Sequence, residues 1–109
     1  METVSSQLKK EVIRRLVKEF QPEAIYLFGS HTKGTSTEGS DLDIMIIVRD
    51  SSQTPAQRAT RAQRSLRGLL VPVDVLVKTQ AEFDRYRSVY ASLEAEIAEE
   101  GELLYGSKT

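Results

Sequence analysis

Three short segments rich in apolar and β-branched residues constrain the fold of this chain most strongly. They cover residues 24–28, 41–48 and 71–77; polar residues or Gly bound the first two on both sides, and Lys78 follows the third. Segments of this length and composition are typical of buried strands. Because helical patterns lie between them, the sequence predicts an α/β (α+β) fold, in which helices pack on a mixed β-sheet.

Amphipathic patterns predict the helices between these strands. Apolar residues recur at three-to-four spacing over residues 4–20, and this helix is expected to end before Pro22. A second helix is expected from Pro55 to about Arg67, where Gly68 follows. The remaining elements are expected to be two helices and a short strand, at residues 81–87, 92–100 and 103–105.

Composition limits the class of protein. The 109 residues suffice for one domain, 1–109, with its own core. A net charge of −1 argues against a generic nucleic-acid or polybasic membrane binder. The absence of Cys excludes a disulfide scaffold, a thiolate nucleophile and a Cys-based metal site. With neither a membrane-span nor a signal-peptide pattern, we expect a cytoplasmic protein that needs no membrane.

The polar loop between the first two strands is the best place for chemistry. Gly29 and Ser30 follow the first strand, and Asp41 and Asp43 open the second. Residues two apart in a strand share a face and lie roughly 6.5–7 Å apart, so both carboxylates are expected to point at one spot. Such a pair repels itself unless a cation lies between, and Mg²⁺ takes oxygen ligands of this kind. Gly29 permits close backbone approach, and Ser30 offers an N–H and a hydroxyl to a phosphate.

Asp74 is a third candidate ligand. It lies between Val73 and Val75 in the third apolar segment, where a buried unpaired charge is costly. If the second and third strands are neighbours, Asp74 reaches the same site. Three carboxylates can hold two metal ions about 3.5–4 Å apart, an arrangement that serves phosphoryl-type displacement. The alternative is a structural Asp whose oxygens accept hydrogen bonds from backbone N–H groups at a strand end.

The spacing of these residues resembles that of a known family. Gly29-Ser30, ten intervening residues and Asp41-Leu42-Asp43 are similar to the GS-x10-DxD signature of the DNA polymerase β-like nucleotidyltransferase superfamily. Within it, the chain resembles the smallest branch, the minimal nucleotidyltransferase (MNT) family. The resemblance covers most of the chain and extends to Gly34, Ser40, Asp74 and the EEG-x-LLY run at residues 99–105.

The resemblance implies a polymerase β-like nucleotidyltransferase fold and Mg²⁺-dependent chemistry on ATP. Asp41 and Asp43 would bind two Mg²⁺ ions, and Asp74 would bind one of them and help to activate the attacking hydroxyl. Lys33 stands where many relatives carry Arg; it keeps the charge but lacks the bidentate fork. The implied nucleotide-binding residues are Gly29, Ser30, Lys33 and Ser40.

The same resemblance implies a protein partner. MNT proteins are commonly paired with helical HEPN proteins as antitoxin and toxin, and some transfer AMP to a Tyr of the toxin. We therefore expect this chain to transfer a nucleoside monophosphate, AMP from ATP, to a hydroxyl of a HEPN-type partner; nucleic acid is not expected as the direct substrate. The alternative is a non-catalytic antitoxin that neutralises its toxin by occlusion.

Two further patterns receive a structural interpretation. Four arginines recur every third residue on the second predicted helix, and three residues fall short of a helical turn, so they spread over about half of its surface. A solvated face is expected for them, and a phosphate-facing or partner-facing strip is the alternative. Two tyrosines near the C-terminal end, Tyr86 and Tyr90, are expected to be packing residues. The four arginines are Arg58, Arg61, Arg64 and Arg67.

Overall fold

The described part of the chain is a four-stranded sheet between two helical layers. The computed structural model describes residues 6–28, 42–69 and 73–107. None of the helices in these ranges is long and apolar enough to cross a membrane. The helices are α1 (Ser6–Phe20), α2 (Pro55–Ser65), α3 (Gln80–Arg87) and α4 (Leu93–Glu100), and the strands are β1 (Ala24–Phe28), β2 (Leu42–Val48), β3 (Val73–Thr79) and β4 (Glu102–Gly106).

The sheet is mixed, as predicted. Its strand order is β3-β2-β1-β4, with β2 antiparallel to β1 and parallel to β3. β4 runs antiparallel to β1, with a bulge at the step from Ile25 to Tyr26. The end of β1 and the starts of β2, β3 and β4 therefore lie at one end of the sheet.

The two faces of the sheet carry separate cores because successive strand residues point to opposite sides. Ile44 and Ile46 of β2 pack with buried residues of α1 and α2, on what we call the α1/α2 face. Met45 and Ile47 pack with Phe83 of α3 and with a residue of α4, on the α3/α4 face. The two helical layers thus divide the apolar residues of each strand between them.

Within the described ranges, predicted and observed element ends agree to within two residues. Thr79 and Glu82 form a capping box, so β3 runs on to Thr79 rather than ending at residue 77 as predicted. Helix α2 ends at Ser65, two residues before the predicted end. Gly68 then adopts a φ of +94°, a conformation that favours glycine. The predicted start of β2 at Asp41 lies outside the described residues.

The prediction of a solvated Arg58 is wrong. Arg58 is only 3% exposed, although it lies on α2 among exposed residues. Its Nη1 donates to the Val77 carbonyl at 2.8 Å and to the Glu82 carboxylate at 2.9 Å, and Nη2 donates to Glu82 at 3.1 Å. Its Nε donates to the Gln53 carbonyl at 3.2 Å. Arg58 therefore ties α2 to the end of β3 and the start of α3.

Arg61 also departs from the predicted solvated face. Its guanidinium pairs with the Glu19 carboxylate, donates to the Gln53 side chain at 3.1 Å and lies 4.7 Å from the centroid of the Phe20 ring. These contacts join α2 to the end of α1. The other two arginines, Arg64 and Arg67, are exposed as predicted.

The predicted packing role of Tyr86 and Tyr90 is wrong as well. Tyr86 is 42% exposed and Tyr90 is 97% exposed. Helix α3 ends at Arg87, so Tyr90 falls in the connection to α4 instead of on a helix face. Ala91 turns the chain there with a positive φ of 62°.

Candidate active site

The candidate site lies at the end of the sheet where β1 ends and β2 and β3 begin. Phe28, the last residue of β1, pairs with Asp43 of β2, and Asp43 pairs in turn with Asp74 of β3. Paired residues on adjacent strands are about 4.7–4.9 Å apart along the hydrogen-bonding direction. Because β2 and β3 are neighbours, the structure brings two of the three candidate carboxylates side by side.

Both carboxylates belong to the α3/α4 face of the sheet. Val75 and Val77 of β3 pack into the core of the α1/α2 face, so Asp74 and Leu76 point to the other side. Asp43 shares that side with Met45. The helices cover Met45 completely but leave the start of β3 open: Asp74 is exposed and Leu76 is 38% exposed.

The surroundings of Asp74 argue against a purely structural carboxylate. Within the described ranges it has neither a hydrogen bond nor an ion pair to its side chain. In these ranges, therefore, Asp74 lacks the hydrogen bonds from backbone N–H groups that the structural alternative predicted. A charged side chain next to a like charge, and open to solvent, is a group that a ligand can reach.

The donor set fits a hard divalent cation. Two neighbouring carboxylates repel each other, and a cation between them relieves that repulsion. Carboxylate oxygens are ligands that Mg²⁺ accepts, and it completes its shell with water or phosphate oxygens. No group of three or more His, Asp or Glu side chains in the described ranges is placed to hold a metal ion. Of the predicted triad, these ranges contain Asp43 and Asp74.

The remaining predicted site residues lie outside the described residues. Gly29 directly follows Phe28 in the sequence, so the polar segment begins at the end of the sheet where Asp43 and Asp74 pair. The phosphate-binding and metal-binding roles assigned to this loop stay predictions. The residues concerned are Gly29, Ser30, Lys33, Ser40 and Asp41.

The sequence interpretation missed two neighbours of Asp74 on the same face of β3. Leu76 offers an exposed apolar surface two residues after Asp74, and its even spacing from Asp74 was the available signal. Lys78 follows at the next even position, and its Nζ lies 3.7 Å from the Glu94 carboxylate of α4. Lys78, the cation on this face of β3, is thus paired with Glu94 at the end of the strand away from Asp74.

Comparison with protein families gives one clear result. A family model described as a nucleotidyltransferase domain matches residues 9–104, which is most of the chain. Among curated individual proteins, none matches the sequence significantly.

Solved structures share the fold. A protein from Sulfolobus solfataricus assigned as a nucleotidyltransferase superposes with a TM-score of 0.66, at 24% identity over 94% of this chain and 81% of that chain. A chain of a toxin–antitoxin structure with AMP-PNP gives 0.67 at 27% identity, over 92% of this chain and 74% of that one. A chain of the toxin–antitoxin MntA-HepT superposes with a TM-score of 0.58 at 26% identity, over 94% of this chain and 74% of that chain. The predicted fold class is confirmed.

Proposed function

The chain belongs to the nucleotidyltransferase domain family, and we propose that it transfers a nucleoside monophosphate from a nucleoside triphosphate to a hydroxyl group. The observation that carries this proposal is the parallel register that sets Asp43 beside Asp74 at an exposed end of the sheet. Neighbouring carboxylates of this kind suit metal-assisted displacement at phosphorus. In the reaction, the acceptor oxygen bonds to the α-phosphorus as the bond to pyrophosphate breaks.

The proposed site residues divide into metal ligands and phosphate-binding residues. Asp41, Asp43 and Asp74 are proposed to hold two Mg²⁺ ions, which supply charge neutralisation at the phosphates and lower the pKa of the acceptor hydroxyl. Asp74, at the exposed edge of the pair, is proposed to orient that hydroxyl and favour loss of its proton. The polar loop is proposed to bind the phosphates through Gly29, Ser30, Lys33 and Ser40.

We propose ATP as the donor and a helical HEPN-type toxin as the acceptor, which would make this chain an MNT antitoxin. Similarity at 27% identity to a toxin–antitoxin structure with AMP-PNP, an ATP analogue, supports the donor and the setting. Similarity at 26% identity to MntA-HepT supports the type of partner. A Tyr, Ser or Thr of the partner would supply the hydroxyl, and residues 1–109 would act as a single domain in the cytoplasm.

Intact-mass analysis of the partner tests the proposal. The chain is incubated with its co-purified helical partner, ATP and Mg²⁺, and the partner is expected to gain the mass of AMP. Asp43→Asn should lower transfer roughly 10³-fold, because it removes an anionic ligand worth several kcal/mol in the transition state. The matched control is Asp50→Asn, an exposed Asp beyond the other end of β2, and it should transfer at the wild-type rate.

Two outcomes would count against catalysis. Transfer at near-wild-type rate by Asp43→Asn at ordinary Mg²⁺ concentration would overturn the assignment of the site. The second outcome is a tight complex in which the partner stays unmodified and its activity is inhibited equally by wild type and Asp43→Asn. That outcome would instead support the alternative of an antitoxin that acts by occlusion.

A further inference from the structure

A groove runs between α1 and β4, on the opposite face of the sheet from Asp43 and Asp74. Its volume is about 390 Å³, and its apolar wall comes from Ile13 and Val17 of α1 and Tyr105 of β4. Tyr105 pairs with Ile25, which belongs to the core of the α1/α2 face, and 39% of Tyr105 remains exposed. We call this feature the α1–β4 groove.

The rim of the α1–β4 groove is basic. Lys10, Arg14 and Lys18 line it at intervals of four residues along one side of α1, and none of its lining residues within the described ranges is acidic. Arg14 already pairs with Glu11 at 2.6 Å. Lys10 and Lys18 have no ion pair within the described ranges. Two cations thus flank an apolar depression without a described counter-charge.

The strand beside the groove is an edge strand. Among the strands in the described ranges, β4 lies at the end of the order and pairs with β1 alone. Its five residues form a short edge strand, and Leu103 and Leu104 are only partly buried. The edge and the groove together form a continuous surface that another protein segment can contact.

We propose that the α1–β4 groove docks an acidic segment of the helical partner. Apolar side chains of that segment would fill the space between Ile13, Val17 and Tyr105, and flanking carboxylates would reach Lys10 and Lys18. The inference rests on the proposed function for the identity of the partner. A segment held there leaves Asp43 and Asp74 uncovered, since they belong to the other face, and so suits catalysis better than occlusion.

Charge and shape favour this occupant over two others. Antiparallel pairing of two β4 edges about a twofold axis would place both copies of α1 on one face, with their basic rims towards each other. Like charges at that distance disfavour a second copy of this chain. A bilayer surface is disfavoured because the rim carries three basic side chains, one of them already paired with Glu11, whereas anionic membranes recruit clusters of about four to eight.

Labelled peptides give a direct test. One probe is an amphipathic helical peptide with Leu and Phe on one face and Glu on its flanks; the other has Lys in place of every Glu. Fluorescence anisotropy should detect binding of the acidic peptide and at least about tenfold weaker binding of the basic one, tenfold being 1.4 kcal/mol. The double variant Lys10→Glu/Lys18→Glu should weaken binding of the acidic peptide by a similar factor. The control Arg49→Glu/Arg64→Glu changes the net charge by the same amount at exposed sites elsewhere and should leave binding of the acidic peptide unchanged.

The transfer assay separates docking from catalysis. With the partner as acceptor, Lys10→Glu/Lys18→Glu should raise the KM for the partner and leave kcat and the KM for ATP unchanged. Asp43→Asn should lose transfer and still bind the acidic peptide. If transfer fails in every protein while the peptide results hold, the proposed function fails and the groove assignment stands.

Three outcomes would overturn the docking proposal. The first is equal binding of both peptides, or binding that the charge reversal does not alter. The second is a concentration-dependent dimer in sedimentation that Tyr105→Ser abolishes, which would assign the groove to a second copy. The third is adsorption to phosphatidylglycerol vesicles that Lys10→Glu/Lys18→Glu abolishes, without peptide binding.

Discussion

The two ends of β3 differ in how their charged groups are paired. At its start, Asp74 is exposed and lies beside Asp43, a residue of the same charge. At its end, the chain passes through Thr79 into α3, and Glu82 of that helix pairs with the buried Arg58. One end thus brings like charges together, and the other holds a buried guanidinium in contact with a partly exposed carboxylate of opposite charge.

This difference separates residues that hold the fold from residues that are available to a ligand. Arg58 donates hydrogen bonds to α3, to the end of β3 and to the segment before α2, so several elements depend on one side chain. Asp43 and Asp74 lie on two neighbouring strands that backbone hydrogen bonds already hold together. The exposed carboxylate of Asp74 at the start of β3 is therefore available to a ligand, whereas the ion pair at the other end of β3 serves stability.

Asp74→Asn should affect activity most. Because Asp74 is proposed to act on the acceptor hydroxyl, kcat should fall about 10²-fold or more while the KM for ATP changes little. In metal-free buffer, the same change should raise the free energy of unfolding by roughly 0.2–1 kcal/mol, since it removes repulsion between like charges on paired strand positions. Steady-state kinetics and thermal melts of wild type, Asp74→Asn and Asp50→Asn measure both effects. Lost ATP affinity with an unchanged rate at saturation would assign Asp74 to nucleotide binding.

Arg58→Met should lower stability by about 2–3 kcal/mol, because it leaves the Val77 and Gln53 carbonyls and the Glu82 carboxylate without their donor. The matched control is Arg64→Met on the exposed side of the same helix, which should stay within about 0.5 kcal/mol of wild type. Urea titration monitored by circular dichroism gives both values. Equal midpoints for the two variants would show that the contacts of Arg58 contribute little.

The pH dependence of stability gives the smallest expected effect. The hydrogen bonds from Arg58 lower the pKa of Glu82 from 4.5 to about 2. A lowered pKa means that Glu82 stabilises the folded protein above its ordinary pKa, and that this contribution is lost as the pH falls from 4.5 towards 2. Solvent screening of the partly exposed carboxylate reduces the contribution to about 1 kcal/mol.

Comparison of wild type with Glu82→Gln isolates this contribution, because Gln keeps the capping interaction with Thr79. The hydrogen bond from Arg14 lowers the pKa of Glu11 to about 2 as well, but Glu11 is present in both proteins and cancels. The stability difference should be largest near neutral pH and shrink below pH 4.5. A difference that stays constant down to pH 2 would show that the ionisation of Glu82 does not contribute.

Much of the fold could be predicted from the sequence because local signals agree with one another. Pro22 follows α1, Thr54 and Thr79 supply caps for α2 and α3, and the strands are short apolar segments. The strand order could not be predicted, because alternating helices and strands do not specify which strands become neighbours. The placement of β4 beside β1 depends on contacts between residues far apart in sequence.

The candidate site was predictable in part, and Arg58 shows where the interpretation went wrong. The even spacing of acidic and apolar residues predicted which strand positions share a face, and the register of β2 with β3 agrees. The regular three-residue spacing led to the prediction that the four arginines form one solvated face. A better signal was the four-residue spacing of Arg58, Ala62 and Leu66, all of which are buried. A charged residue on an apolar helical stripe predicts a buried ion pair, but its partner, Glu82, is too distant in sequence to identify.

The pairing of β1 with β4 also has a consequence for how the protein assembles and turns over. Ile25 pairs with Tyr105, so β4 can add to the sheet only after nearly the whole described chain has been synthesised and the intervening segments have folded. Contacts between such distant residues carry a large loop-closure entropy and tend to form slowly. An edge strand of this kind is also expected to detach early during local opening. A partner that binds Tyr105 would therefore lower the population of the opened form by mass action and lengthen the lifetime of the chain when its partner is abundant.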